Sequence, residues 1–492
     1  MPERHIVNLD SISKETLEEI KKASATAGVL SSTGITGVDL GDLVSLIPVN
    51  TPFYDSLART RPTMGNTFAQ WKALVNVNNA QPDPAVALDY AAPIVTLQEL
   101  DVTAPYGKIG AGYTVTRDAQ AIAAGYADSK AVAIFNALNQ YKLGADKKLL
   151  GGQRFALTTP GTPVVSTATT GGTIPLSTAV NVKVAARTLS GYFYGGSTVA
   201  SAQGTVTTGG GTSTNTATAT VASVAGAVAY DWFVAGFYYT TTTVNKVLIT
   251  FIPVANQAVP TNLPGFYSAA PASVPVADGS AKPNDFNGLL ATLTGDYATG
   301  GATGLVTRGS GTNSGAVVTS LDGAVFTVAG QNVAELDTLN TAIWNNVQLS
   351  PDAYMMASAQ ATEISAAIGA TAAGGTTMFL PNLDGRGEAV AGQFVGWYIN
   401  KAAGGKPVKI EVHPNLAPGT VIARTDSVPF PNSNITNTLE MRNLDEVYSY
   451  EYGSARVLNQ AGGGPREDGE TLSLSTLVNR APVAMGVLQN VG

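Results

Sequence analysis

Residues 116–152 read TRDAQAIAAGYADSKAVAIFNALNQYKLGADKKLLGG, a run without proline and with an apolar stripe at helical spacing. Ile134, Leu138, Tyr141, Ala145 and Leu149 recur at steps of four, three, four and four, and Ile122 and Tyr126 extend the stripe backwards. Thr116 is placed to cap the helix and Gly151-Gly152 to end it. At 1.5 Å per residue it would run about 45–50 Å, long for a globular domain. Gly125 and Gly144 weaken it and are candidate bending points.

Working towards the N-terminus, residues 53–115 alternate β-like runs with turn signals. Phe68-Ala-Gln-Trp71-Lys and Leu100-Asp-Val-Thr-Ala-Pro-Tyr106 are strand candidates. Asn76 to Pro93, rich in Asn, Pro and Ala, suits a long hairpin tip. A hairpin this poor in bulky apolar residues needs a partner surface. Before it, Ser13 is placed to cap a short helix carrying Leu17 and Ile20, and Ala23 to about Pro52 loosens into an extended arm.

Beyond the helix, residues 155–283 change character. Lys183, Arg187, Asp231, Lys246, Asp278 and Lys282 are the only charged residues there. Short runs at 179–184, 216–221, 230–234 and 246–252, separated by glycine clusters, predict a β-sandwich inserted into a host fold. Pro160, Pro163 and the Pro/Ala-rich 259–283 stretch read as its two linkers.

From Asp285 the pattern is mixed. Asn332 is placed to cap a helix with Glu335 reaching back, and Leu336, Leu339, Ile343 and Val347 form one apolar face. Ser350-Pro351 ends it, and Tyr354-Met-Met-Ala leads to a second helix near 359–370. A Gly-rich loop follows at 374–387. Strands are expected at 394–399, 408–412, 420–424, 444–452 and 472–487. This part reads as α+β.

The composition narrows the function. Charged residues make up 13% of 492, about half the usual share, so charge alone cannot keep a large lone surface soluble. Much of that surface is expected against neighbours or in hydroxyl-rich β-structure. A net charge of −7 without a basic stripe argues against tight nucleic-acid binding over the whole surface. With no cysteine, thiolate chemistry and disulfides are excluded. Met-Pro-Glu-Arg-His lacks the order of a signal peptide, and no apolar run has the length of a membrane span, so a chain made in the cytoplasm is expected.

An extended arm, a long hairpin, a long helix and an α+β body, in that order, resemble the major capsid proteins of tailed bacteriophages, whose fold is shared with encapsulins and the herpesvirus shell floor. Asp285-Phe-Asn-Gly-Leu-Leu290, Gly315–Ala324, Leu336–Trp344 and Ser350–Met355 look like the segments with which actinophage-type subunits resume after an insertion. The Ala229–Val234 run is similar to immunoglobulin-like virion domains, without their cysteine pair.

The resemblance implies an N-arm at 1–54, an extended loop at 55–115, a spine helix and the start of the peripheral domain at 116–154, and the inserted sandwich at 155–283. The peripheral domain would continue at 284–340 and 441–492, with the axial domain at 341–440. It further implies hexamers and pentamers of an icosahedral head, formed around axial loops 374–390. The implied partners are other copies of the chain, a scaffolding protein, a portal, decoration proteins and packaged double-stranded DNA, with no membrane. The alternatives are an encapsulin-type compartment and, further off, a β-rich surface adhesin.

Catalytic signatures are missing, and neither cofactor nor metal is expected. His5 and His413 are the only histidines, too few for a histidine-built metal site or most catalytic triads. His413, before Pro414, reads as a turn residue. Gly107-Lys-Ile-Gly-Ala-Gly112 precedes Tyr113-Thr-Val and not a helix, so a dinucleotide loop is rejected. Asn382–Glu388 lacks the ligand spacing of a helix–loop–helix calcium site and suits a subunit-contact loop. Nothing pairs Lys72 or Lys108 with an Asn for an isopeptide bond. The aromatics of 192–239 suit a buried sandwich core better than a carbohydrate face.

Overall fold

The computed structural model describes residues 49–62, 67–74, 85–88, 90–92, 100–123, 128–211, 213–254, 271, 273–297, 306–307, 315–329, 332–371, 395–429, 435–455 and 466–492. Along the chain run α1 (Pro52–Ser56), β1 (Ala58–Thr60), β2 (Phe68–Ala73), β3 (Leu100–Pro105), β4 (Gly107–Thr116), α2 (Arg117–Ala123) and α3 (Ser129–Gly151). Next come β5 (Val164–Ala168), β6 (Ala179–Arg187), α4 (Leu189–Tyr194), β7 (Gly204–Thr207), β8 (Thr216–Thr220), β9 (Ala229–Val234), β10 (Phe237–Thr242) and β11 (Lys246–Ile249). Then α5 (Leu289–Thr294), the short strands β12 (Asp296–Tyr297) and β13 (Val306–Thr307), β14 (Val317–Ser320), and the short pair β15 (Val328–Ala329) and β16 (Asn332–Val333). The last third holds α6 (Ala334–Val347), β17 (Ala353–Met356), α7 (Ser358–Thr371), β18 (Trp397–Asn400), β19 (Lys406–Val412), β20 (Val421–Arg424), β21 (Leu439–Ala455), β22 (Arg466–Asn479) and β23 (Gly486–Gln489). The fold is α+β.

The hairpin forms as its sequence predicts: β2 and β3 pair antiparallel, with Trp71 opposite Val102. Alternation puts Ala69, Trp71 and Ala73 on the buried side, where they meet Val102, Ala104 and Val478. The indole N–H of Trp71 donates to Asn479 O at 2.9 Å and fixes the hairpin base to β22.

The long helix is shorter than its apolar stripe suggests. β4 runs on to Thr116 because β22 pairs with it over its whole length, Arg466 opposite Thr116. A non-local ladder thus overrides local helical propensity. Thr116 does act as a cap, its Oγ1 accepting from Ala119 N at 3.3 Å, but for the separate α2. α3 starts at Ser129, where the Asp128 carboxylate accepts from the N–H groups of Lys130 and Ala131. Its 23 residues span about 35 Å. Gly125 and Tyr126 lie outside the described residues.

The sequence-based capping of α6 also needs correcting. Asn332 lies in β16 and the cap position falls to Val333, without a side-chain hydrogen bond. Glu335 accepts instead from Thr327 N. The apolar face is as read: Leu336, Leu339, Ile343 and Val347 are buried. The expected strand at 472–487 breaks after Asn479, because Pro482 opens a short 3₁₀ turn before β23.

Besides the two-stranded pairs, the described residues form larger sheets in three places. A four-stranded sheet in the order β1-β21-β22-β4 carries α3 on one face. A six-stranded sheet, β14-β23-β20-β17-β19-β18, is the centre of the C-terminal half. Within 155–283, β10-β9-β6-β7 and β11-β8-β5 enclose a core of Val182, Val184, Ala217, Ala219, Tyr230 and Trp232. Most of the expected arm, the loops at 374–390 and the Asn382–Glu388 loop lie outside the described residues.

The end of α3 is a tight crossing in the core. Gly152 N donates to Lys148 O at 2.7 Å, and Gly288 N donates to Gly152 O at 2.8 Å. A Cβ on Gly152 would stand 2.5 Å from Phe286 O and 2.7 Å from Lys148 O. Both are backbone atoms with little room to give. Gly152→Ala is therefore expected to cost about 1–3 kcal/mol, the range for an overpacked core, read as a lower midpoint in urea denaturation.

Candidate assembly surfaces

α3 is buried along only half its length. Tyr141, Ala145, Leu149 and Leu150 sit in the main core with Phe53, Tyr54, Leu289 and Leu293. Towards its start, Val132 and Phe135 are exposed, Phe135 at 61%, and Ile134 is half-buried. Lys130 holds this outer half to the sheet through Glu451 and Glu467, at 2.5 and 3.1 Å. The apolar stripe thus extends past the core that one chain provides.

Other bare apolar groups occupy defined places. The stretch between β2 and β3 carries Leu88 at 92% and Tyr90 at 76% exposure. On β21, Tyr448, Tyr450 and Tyr452 alternate onto one face and are all exposed. That face is turned away from α3. Tyr448 stands opposite Leu472, whereas Tyr141 of α3 bonds its neighbour Ser473 at 2.7 Å. Tyr450 and Tyr452 meet edge to face at 5.1 Å, and the Tyr452 hydroxyl donates to Glu470. Trp397 and Ile399 lie bare on β18, the edge strand of the six-stranded sheet. Contiguous exposed apolar patches, unlike singly exposed residues, mark surfaces for association.

The residues singled out from sequence are dispersed. Gly107–Gly112 is part of β4, with Gly107 against Phe286 and Gly110 against Leu472. Lys72 and Lys108 lie in β2 and β4, Lys108 bonded to Glu470 at 3.2 Å. Tyr192, Tyr230 and Trp232 are buried and Tyr194 is half exposed. Among the described residues no group of three His, Cys, Asp or Glu is placed to hold a metal ion, and no helix is long and apolar enough to cross a membrane.

His413 is more than a turn residue. It is buried, and its Nε2 lies 3.5 Å from Oδ2 of Asp146, itself fully buried on α3. Asp146 accepts from Tyr54 N at 2.8 Å and from Asn415 Nδ2 at 2.6 Å. Asn415 also donates to Asn50 O. Three distant segments therefore meet at one polar point inside the core. Asn415 N donates to His413 Nδ1 at 3.1 Å, which leaves the proton of the neutral ring on Nε2, facing the carboxylate. The sequence signal was Asp146 itself, an acid three residues before Leu149 on the buried flank of the helix.

The two groups titrate in opposing senses. Burial pushes Asp146 up to about 6, so its protonation favours the fold as pH drops. Burial, with Arg424 adding to it, pushes His413 down to about 4, so acid favours the unfolded chain below the usual histidine value of about 6.5. The effects oppose each other between about pH 4 and 6. Removing either exposes the other. From pH 7 to 5, the Asp146→Asn variant is expected to lose about 1–2 kcal/mol of stability, and the His413→Gln variant to gain about 1 kcal/mol. Urea melts at the two pH values measure both slopes.

No protein-family model and no curated protein sequence matches the chain. Solved structures do. The cyanophage A-1(L) capsid asymmetric unit aligns at 10% identity over 94% of this chain and 99% of that one, with a TM-score of 0.45. A structure of Mycobacterium phage Bobi aligns at 10% identity over 98% and 99%, with a TM-score of 0.40. The capsid of an empty GTA particle aligns at 8% identity over 94% and 99%, with a TM-score of 0.40.

Proposed function

We propose that the chain is the major capsid subunit of a tailed bacteriophage, a structural protein and not an enzyme. It assembles into hexamers and pentamers of an icosahedral head around double-stranded DNA. In this reading residues 1–54 are the arm, 55–115 the extended loop and 116–154 the spine helix with the start of the peripheral domain. Residues 155–283 are the insertion, 284–340 and 441–492 the rest of the peripheral domain, and 341–440 the axial domain. Scaffolding, portal and decoration proteins would be the partners in the host cytoplasm, and the virion the final location.

The observation that carries this reading is the bare outer half of α3 together with the bare hairpin. Burying apolar surface stabilises by roughly 25 cal/mol per Å², so Phe135, Leu88 and Tyr90 favour contact between copies. Charge agrees. The hairpin stretch 75–99 carries Asp83, Asp89 and Glu99 and no basic residue, whereas α3 carries Lys142 and Lys147 beside Lys130 and Lys148, whose charges are already met by Glu451, Glu467 and Asp285. The open cleft of about 230 Å³ between β4, α3 and α4, walled by Gly107, Gly110 and Gly144, leaves room for a neighbour's side chain.

Electron microscopy of the expressed protein, alone and with a co-expressed scaffolding partner, tests the reading. Closed shells or capsomer rings are expected, and particles recovered from infected cells should protect DNA from nuclease. A chain that stays monomeric under all these conditions overturns it. The paired change Leu88→Asp with Tyr90→Asp should leave the circular dichroism of the subunit unchanged and abolish shells.

A further inference from the structure

Among the described residues, the β-rich segment 155–283 is held to the rest of the chain at its stem and at a further set of turns. Its first attachment is the stem, where the chain enters and leaves. Lys282 N donates to Gln153 O at 2.9 Å, and Leu157 N donates to Ser280 Oγ at 3.0 Å. The entering and leaving strands are thus bonded to each other. Beside the stem, Leu189, Tyr192, Val228 and Ala229 share one apolar cluster with Leu149 and Leu289.

A second attachment lies at the 221–228 and 243–245 turns. Asn245, fully buried, donates from one side-chain nitrogen to Val221 O at 2.7 Å and to Asp322 Oδ1 at 2.8 Å. Asn490, next to β23, donates to Ser223 Oγ at 2.7 Å and to Ser320 Oγ at 2.8 Å. Each amide therefore bridges the segment and the edge formed by β14 and β23. Gly419, at φ +82, comes so near Thr243 O that a Cβ would stand 2.8 Å from it. The contacts of the chain gather residues 49–492, this segment included, into one unit.

A module on a single stem can swing, but one held at a second point as well, by part-buried bonds from Asn245 to Asp322 and from Asn490 to Ser223 and by the buried bond from Gln489 Nε2 to Ala227 O, cannot. We propose that segment 155–283 is not a separable appendage but opens and closes with the six-stranded sheet as one cooperative unit, clasped through Asn245 and Asn490. Such a segment has one fixed position on every copy of the subunit, and its presence stiffens the β14–β23 edge.

Hydrogen exchange of the unassembled full-length chain across a denaturant series tests this. Peptides covering β6 and β9 should open at the same denaturant concentration as those covering β20 and β23. The double change Asn245→Ala with Asn490→Ala should raise opening of β6 and β9 by about a hundredfold relative to β20 and β23, since it removes two bridging amides and a hydrogen bond lost with its partner left unpaired is worth about tenfold each time. Exchange of β6 and β9 at lower denaturant, with β20 and β23 still protected, would overturn the proposal. So would a double variant in which both groups still open together, at the wild-type denaturant concentration. If the variant does not fold, the wild-type series still decides.

Discussion

Backbone meets backbone where α3 ends, and the rest of the chain is arranged around that contact. Gly152 and Gly288 approach so closely that neither tolerates a side chain, and their hydrogen bond joins residues 136 apart in sequence. The contact closes the host fold on either side of a long β-rich excursion. Leu149, Leu150, Leu289 and Leu293 pack around it, and β21 and β22 cover them through Met441 and Leu477. The excursion leaves and returns within a few residues of it, so 155–283 can be long without pulling the host apart. Loop-closure cost grows only slowly with length, and here the ends are already held together.

What could be read from sequence was whatever depends on local period. The alternation of Phe68–Ala73 and Leu100–Pro105, the 3.6-residue face of α6 and the spacing of the strands in 179–249 are set by neighbours a few positions away. What could not be read depends on distant partners. β4 persists to Thr116 because β22, more than three hundred residues on, pairs with it. Glu335 is drawn from its expected cap by Thr327 N. The polar node is the clearest case. His413 and Asp146 each look unremarkable alone, and only folding brings them to 3.5 Å.

The candidate surfaces follow the same division. The exposure of Leu88 and Tyr90 could be anticipated from the shortage of bulky residues in the hairpin. The half-exposed helix could not, since an apolar stripe looks alike whether the core reaches along all of it or stops midway. Burial ends near Ala137 because the sheet residues facing the first turns of α3 are charged: Glu451 and Glu467, paired with Lys130. The helix thus changes from a core element to a surface element within its own length.

The tyrosine row on β21 has a consequence for how fast contacts can form. The rings of Tyr450 and Tyr452 are held by the ladder of the strand, by edge-to-face contact and by the bond from Tyr452 to Glu470. Rings already fixed lose little rotamer freedom on meeting a partner. A neighbour arriving there would encounter a rigid relief, not a set of mobile side chains awaiting order. Geometry would then discriminate between correct and skewed encounters at first touch, and misplaced subunits would leave quickly for want of any compensating rearrangement.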